Sequence, residues 1–441
     1  MDIVLGILVG LFALMFLIVA HEFGHFLMAK RSGVRVKEFG IGFPPRAVAW
    51  LVKKDEKGKR KWEKFPKSEW KKEQDSLIFS INFLPIGGFC AMDGESDADT
   101  KKGTFGSVSY WKKTKILFGG VAMNWLVAFL ILTVLCWTGL PTILENQFSV
   151  KSDEKITITE PVQVAEVLEG SPAETAGFQS GDIIKSVKTA ASSEDTTKCI
   201  NSAEKTQEEN PQTKCQSYEE LTVYSSQNVI NFNASHAGEQ VIYEVIHNCE
   251  TEDNCNNQTE YLEATLNPSD SEYLLGVTMN YGDSETRYTW SAPIVAAGLT
   301  VQITGETFKG LWNLLVNLVT GAARQVSTDS SVRQEGKNQI SEATEGVSGI
   351  VGIIGGYFPN LIHSGPTMLF LFIAVISISL ACMNVLPIPA LDGGRWLMIT
   401  IARLQHKRLS QETEQKIVAR AFIVLLALMV VITILDIIHL F

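Results

Sequence analysis

His21-Glu22-Phe23-Gly24-His25 lies near the end of a run, Ile3 to Met28, that carries no charge before His21. About 20 apolar residues span roughly 30 Å of hydrocarbon as a helix, so the run predicts a membrane-spanning helix. On a helix, residues four apart share a face one turn apart, which brings His21 and His25 together. Two imidazoles so placed can ligate one Zn2+, and the adjacent Glu22 can reach water held in an open coordination position. Zinc lowers the pKa of such a water to roughly 7, so Glu22 can take its proton as base and deliver it to a leaving amine as acid. The motif is permissive in a soluble helix. Its position sharpens it, because an ionisable side chain in hydrocarbon costs roughly 2.5–3.5 kcal/mol on insertion scales. Three such groups at the end of a span need a compensating partner, and a metal ion provides one.

Working outward, three further apolar runs follow. Ile116 to Leu140 and Thr367 to Leu391 are uncharged, and Ala421 to Phe441 is interrupted only by Asp436 and His439. The expectation is an α-helical integral membrane protein with about four transmembrane helices. A secretory signal peptide fits the first run poorly: no basic n-region precedes it, no small-residue cleavage site follows it, and cleavage would remove HEFGH. The chain's 441 residues and mean hydropathy of +0.11 exclude a lone small module and wholesale disorder. Its formal charge of -10 argues against nucleic acid as a partner.

Charge gives the direction of the spans. Lys30 to Lys113 holds 19 Lys and Arg against 11 Asp and Glu, whereas Pro141 to Trp290 holds 8 against 26. Basic loops stay in the cytoplasm, so the first block is expected inside and the second outside. Arg395, Arg403, Lys407, Arg408 and Lys416 then mark a second cytoplasmic connection, and both chain ends fall outside. Cys199, Cys215, Cys249 and Cys255 all lie in the acidic block, where an oxidising compartment favours two disulfides. Three pairings are open; Cys199–Cys215 with Cys249–Cys255 is the local one, and a zinc knot is the rival reading.

A third zinc ligand is needed. Met383-Asn-Val-Leu-Pro-Ile-Pro-Ala-Leu-Asp-Gly-Gly-Arg395 offers Asp392 at the inner end of the third run. Pro387 and Pro389 would break the helix there and free backbone groups that only a cavity or a bound partner satisfies. Read alone, Asp392 is equally a helix-end carboxylate at the interface.

In the acidic block, Val162 to Leu168 alternates as a strand. Ser171-Pro172 starts a short helix that Gly177 ends, and Gly181-Asp182 turns into a strand over Ile183 to Val187. Tyr218-Glu-Glu-Leu is expected to open a second helix, and Val241–Val245 and Tyr261–Leu266 read as strands. This order resembles a PDZ domain, with SPAETAGFQSGDII like the circularly permuted bacterial form. Residues 189–217 form an insert that departs from it. PDZ domains take extended peptide ends onto a sheet edge, and a spacer that binds nothing is the plain alternative.

Together, HEFGH on the first span, NVLPIPALDGG on a late span and a PDZ-like insert between them resemble the site-2 protease family of intramembrane zinc metalloproteases, in its bacterial branch with a single PDZ domain. The resemblance implies His21, His25 and Asp392 as zinc ligands and Glu22 as general acid and base. It implies that Asn384, Pro387 and Pro389 line the substrate path, with the Asn side chain on substrate backbone. Phe83-Leu-Pro-Ile-Gly-Gly-Phe-Cys-Ala-Met resembles the family's membrane-associated β structure beside the active site, where Gly87 and Gly88 would allow close backbone approach. Gly119-Gly-Val-Ala-Met-Asn124 resembles a Gly-xxx-Asn motif of the family, and is equally a small-residue helix contact. Ile350 stands where the family has Pro, and the polar insert Ser327 to Glu345 is a further departure.

The expected layout is 1–140 for the first two spans and a basic cytoplasmic loop, and 141–290 for the PDZ-like domain outside. Residues 291–365 would hold an amphipathic helix, Pro293 to Val319, and a linker at the outer face, and 366–441 the last two spans. The resemblance implies a multi-pass protein of the bacterial inner membrane with its active site near the cytoplasmic side. Its substrates would be single-span transmembrane proteins already trimmed by another protease, such as anti-sigma factors or signal-peptide remnants. A substrate span would unwind and pair as a strand with an edge at Val34–Ile41 or Leu77–Cys90. A zinc peptidase acting on soluble peptides lacks its usual downstream ligand here, and a non-enzymatic membrane scaffold presenting the PDZ-like domain predicts no metal.

Overall fold

In the computed structural model the described residues are 2–54, 60–70, 76–94, 99–144, 146–189, 220–247, 259–271, 273–280, 283–325, 329–345, 349–406 and 410–440. They divide into two compact units, one of residues 1–138, 147–151 and 289–441, the other of 139–146 and 152–288.

In the first unit, helix α1 (Asp2–Ser32) leads into strand β1 (Val36–Lys54), β2 (Arg60–Lys64) and β3 (Leu77–Met92), followed by helix α2 (Tyr110–Thr138). Glycine at Gly33, with φ of +86°, turns α1 into β1. The three strands form one sheet in the order β2-β1-β3. Both halves of β1 pair with β3: Val48 to Val52 lie opposite Ile81 to Leu77, while Glu38 to Ile41 face Ile78 to Ile81 on one register and Ala91 to Gly88 on the other. Val34–Ile41 is therefore not an edge, because its β portion is flanked on both sides. Within β3 the expectation narrows to Leu84–Phe89: among the described residues, β1 is the one strand paired with that stretch.

In the second unit, β4 (Leu140–Pro141), β5 (Lys155–Glu160), β6 (Val162–Val167), α3 (Pro172–Ala176), β7 (Ile183–Thr189), β8 (Glu220–Thr222), α4 (Ser226–Ser235), β9 (Gln240–Ile246), β10 (Thr259–Thr265), β11 (Val277–Met279) and β12 (Asp283–Arg287) follow in order. Strands run β10-β9-β7-β6-β11 with β8 beside β7, and β4-β12-β5 form a separate small sheet. Alternate residues of β6, β7 and β9, including Val162, Val164, Val187, Tyr243 and Val245, bury against Phe178, Val229, Phe232 and Leu262. Helix α3 begins where Ser171 Oγ accepts from Glu174 N (3.1 Å) and ends at Gly177 in a left-handed conformation. The second helix is expected to open at Tyr218, which lies outside the described residues. Residues 220–222 are a strand opposite Val187, and the helix starts after Ser225, whose Val229 and Phe232 face the core. Tyr243 donates to Asn233 Oδ1 (2.6 Å), and burial pushes its hydroxyl above the usual tyrosine range against that hydrogen bond. The four acidic-block cysteines and most of the 189–217 insert lie outside the described residues.

Back in the first unit, α5 (Ala292–Gln325) is longer than the expected 293–319, and the polar insert contains a helix, α6 (Ser330–Glu345). The segments Ile350–Gly352, Ile353–Tyr357 and Phe358–His363 are helical, the middle one a π turn. Then come α7 (Pro366–Val385), α8 (Asp392–Leu404) and α9 (Gln411–Leu440). Among the described residues, three helices are long and apolar enough to cross a membrane: 3–32, 110–138 and 366–385. Ala13 and Leu17 of α1 pack on Ile373 and Ile376 of α7 and on Phe358. Nearer the β sheet, Phe26, Phe39, Ile116, Leu117 and Ile399 tie α1, β1, α2 and α8 together.

Candidate metal and catalytic centre

At Gly24 and Gly119, helices α1 and α2 meet backbone to backbone. A Cβ on Gly24 would fall on the Gly119 carbonyl, and one on Gly119 would stand 2.7 Å from the Gly24 carbonyl oxygen. One residue on, a Cβ at Gly120 would sit 2.6 Å from Nε2 of both His21 and His25. The small-residue contact and the site are thus one feature: this approach lets α2 lie directly against both imidazoles. His21 and His25 are 8% and 7% exposed.

The third element comes from the break after α7. The helix ends at Val385, Leu386 is extended (φ -58°, ψ 147°), and Leu391 N donates to Ile388 O (2.8 Å) in a tight loop through Pro387 and Pro389. Gly393 and Gly394 let α8 start against this loop: a Cβ on either would overlap the carbonyl of Val385 or of Ile388. Asp392, in the first turn of α8, is thereby aimed at α1. Its Oδ2 lies 3.1 Å from His21 Nε2 and 3.2 Å from His25 Nε2, and the two Nε2 atoms are 3.1 Å apart.

These three atoms form a triangle with nearly equal sides. Zinc with ligands at about 2.0–2.2 Å in a tetrahedron sets them roughly 3.3 Å apart, so the nitrogen, nitrogen and oxygen donors fit the ion in number, type and spacing. The backbone supports the fit. His25 Nδ1 lies 2.8 Å from Ile116 O, an acceptor, so Nδ1 carries the ring proton and Nε2 keeps its lone pair. Glu22 belongs to the same cluster, with its carboxylate within 4.8 Å of both imidazoles, and it accepts a hydrogen bond from the Cys90 backbone of β3.

Other residues singled out by sequence are near or apart. Gly88 packs beside α1, where a Cβ would stand 3.2 Å from Val19 Cγ2, and Gly87 takes φ of +81° next to the Phe43 ring. Pro387 and Pro389 are in the loop before Asp392. Asn384 donates to Leu380 O (2.9 Å), spending its amide on its own helix. Sequence reading left Asn124 unassigned. It is fully buried, its Nδ2 is 3.4 Å from His21 Nδ1, and its carbonyl accepts from Ser377 Oγ (2.8 Å). Its one signal was the Gly-xxx-Asn spacing; the Ile116 carbonyl, being backbone, had none.

Peptidase family M50 matches residues 9–63 and 56–429, a range that holds both α1 and the Asp392 loop. The chain belongs to peptidase family M50. This M50 peptidase is an intramembrane zinc metalloprotease, of the site-2 protease kind. It is 24% identical over 433 residues to a protein of Agrobacterium fabrum that carries a zinc-metalloprotease name, covering 94% of this chain and 90% of the relative. A similarly named protein of Clostridium acetobutylicum is 25% identical over 441 residues, 98% of each. Zinc metalloprotease Rip1 of Mycobacterium tuberculosis is 25% identical over 196 residues, 42% of this chain and 43% of that one.

Proposed function

We propose that His21, His25 and Asp392 hold the zinc of this peptidase, that Glu22 is its general base and acid, and that it cuts peptide bonds within transmembrane segments of single-span proteins. The observation that carries this reading is the triangle of 3.1–3.2 Å between the two Nε2 atoms and Asp392 Oδ2, with the Glu22 carboxylate beside it.

When bound, zinc supplies Lewis acidity toward the scissile carbonyl and the attacking water. The residues do the rest. Glu22 takes the water's proton on its carboxylate and passes it to the leaving amine, and the hydrogen bond from Cys90 keeps that carboxylate turned toward the site. A substrate span cannot react as a helix, since its carbonyls are already bonded within it. Local unwinding and addition as a strand to Leu84–Phe89 gives those groups new partners. In this reading Gly87 and Gly88 lie along that stretch, Gly87 against the Phe43 ring and Gly88 beside Val19, and Asn384 at the end of α7 lines the substrate's path with Pro387 and Pro389 of the loop after it.

In this reading α9 is a fourth span, the β sheet and the start of α8 face the cytoplasm, and the second unit is a PDZ-like domain outside a bacterial inner membrane, as the charge asymmetry of the two blocks supports. The PDZ-like domain admits substrates already trimmed by another protease, and α5 lies at the outer membrane face. The test is co-expression with a trimmed single-span substrate. Glu22→Gln should retain zinc and lose at least about a hundredfold in cleavage rate, the scale of general acid–base catalysis. Cleavage at the wild-type rate by Glu22→Gln, or unchanged zinc content in His21→Ala, would refute the assignment.

A further inference from the structure

Two imidazoles of one site have unequal support. The ring proton of His25 is fixed by the Ile116 carbonyl, two turns before Asn124 on α2 and on the same face, with Gly120 midway. His21 Nδ1 has as its neighbour the Asn124 amide, at 3.4 Å. That amide is fully buried, held by Ser377 through its backbone, and its Oδ1 has no hydrogen-bond partner among the described residues. A buried amide oxygen without a donor costs about 1–3 kcal/mol.

The orientation also matters for chemistry. With Nδ2 toward the ring, Nδ1 must act as acceptor, and the ring proton then sits on Nε2, the atom that faces Asp392 and the metal. Turning the amide by half a rotation brings Oδ1 to the ring instead. An Nδ1 proton then has its acceptor, the orphaned oxygen has its donor, and Nε2 is free to ligate.

We infer that Asn124 is a positioning residue for the zinc site: in the loaded protein its Oδ1 accepts the Nδ1 proton of His21 and so sets the tautomer in which Nε2 binds metal. Helix α2 thereby supplies the outer partner of both histidines, a main-chain carbonyl for His25 and a side-chain carbonyl for His21, separated by the glycine that lets them approach. This rests on the zinc assignment above and adds a residue to it.

The test measures zinc affinity of the full-length chain in detergent by competition with a chelator, and the absorption spectrum of the cobalt-loaded form. Asn124→Ala should weaken zinc binding by roughly 10- to 100-fold, as loss of an outer partner does, and alter the cobalt bands. Asn124→Asp, which keeps an acceptor of the same size, should recover most of that loss. Wild-type affinity and spectrum in Asn124→Ala would overturn the inference, as would equal losses in both variants, the mark of a packing role alone. Should neither variant fold, nitrogen-15 spectra of histidine in the zinc-loaded wild type decide: protonated Nδ1 with ligated Nε2 at His21 supports the inference, and ligated Nδ1 overturns it. Failure of the wild type to take up zinc would instead bring down the underlying site assignment.

Discussion

The metal centre of the first unit and the sheet of the second are assembled from opposite materials. In the first, Gly24, Gly119, Gly120, Gly393 and Gly394 remove side chains so that backbones come close enough to bring His21, His25 and Asp392 within 3.2 Å of one another. In the second, Tyr243, Phe178, Phe232 and Leu262 fill the space between strands and helix with full-sized side chains, and the buried Tyr243 hydroxyl is matched by Asn233 Oδ1. Among lipid tails, apolar burial gives helices little reason to associate, so close packing and polar contacts must do it. In water, burial of apolar area does it. An added methyl should therefore damage the first region most, and a lost polar contact should register in the second as local stability.

The sharpest way to break this contrast is Gly120→Ala. Its Cβ would press on both imidazole Nε2 atoms, and overpacking of about 1–3 kcal/mol corresponds to roughly 5- to 150-fold weaker zinc binding. Gly310→Ala, on α5 with nothing within 4 Å of its Cβ, is the control and should leave zinc affinity unchanged. Equal behaviour of the two would mean that the α1–α2 approach does not set the site. Next in size, Tyr243→Phe strips the donor from buried Asn233 Oδ1 and should cost about 1–3 kcal/mol in hydrogen-exchange protection of β9, with zinc affinity untouched. Smallest is Ser171→Ala, which removes the cap of α3 and should cost about 1 kcal/mol, read as faster exchange at Glu174 N. A change in zinc binding from either of these would tie together regions that the contrast keeps separate.

The same contrast explains what could be read from the sequence. HEFGH, the Pro387–Pro389 break and the Ser171 to Gly177 helix were legible because each is set by residues a few positions apart. Alternation marks the strand at 162–168 and the Gly181-Asp182 turn the one at 183–187; with 241–245 and 261–266 these overlap the observed strands 162–167, 183–189, 240–246 and 259–265. What escaped depends on distant partners. Glu220 to Thr222 reads as the start of a helix until Val187 offers it a ladder, and Val34–Ile41 looks like an edge until β3 folds along both its sides. Asn124 stands out only as the end of a Gly-xxx-Asn spacing, with no role legible, since its neighbour His21 is 103 positions away.

Where Gly24 rests on Gly119, the two helices touch main chain to main chain, with no rotamers available to absorb a displacement. Advancing α2 by a single position would carry Val121 toward the imidazoles in place of Gly120. The phase of one helix against the other and the fitness of the catalytic pocket are consequently a single mechanical variable, and a force that rotates α2 acts on the chemistry without touching any reacting group.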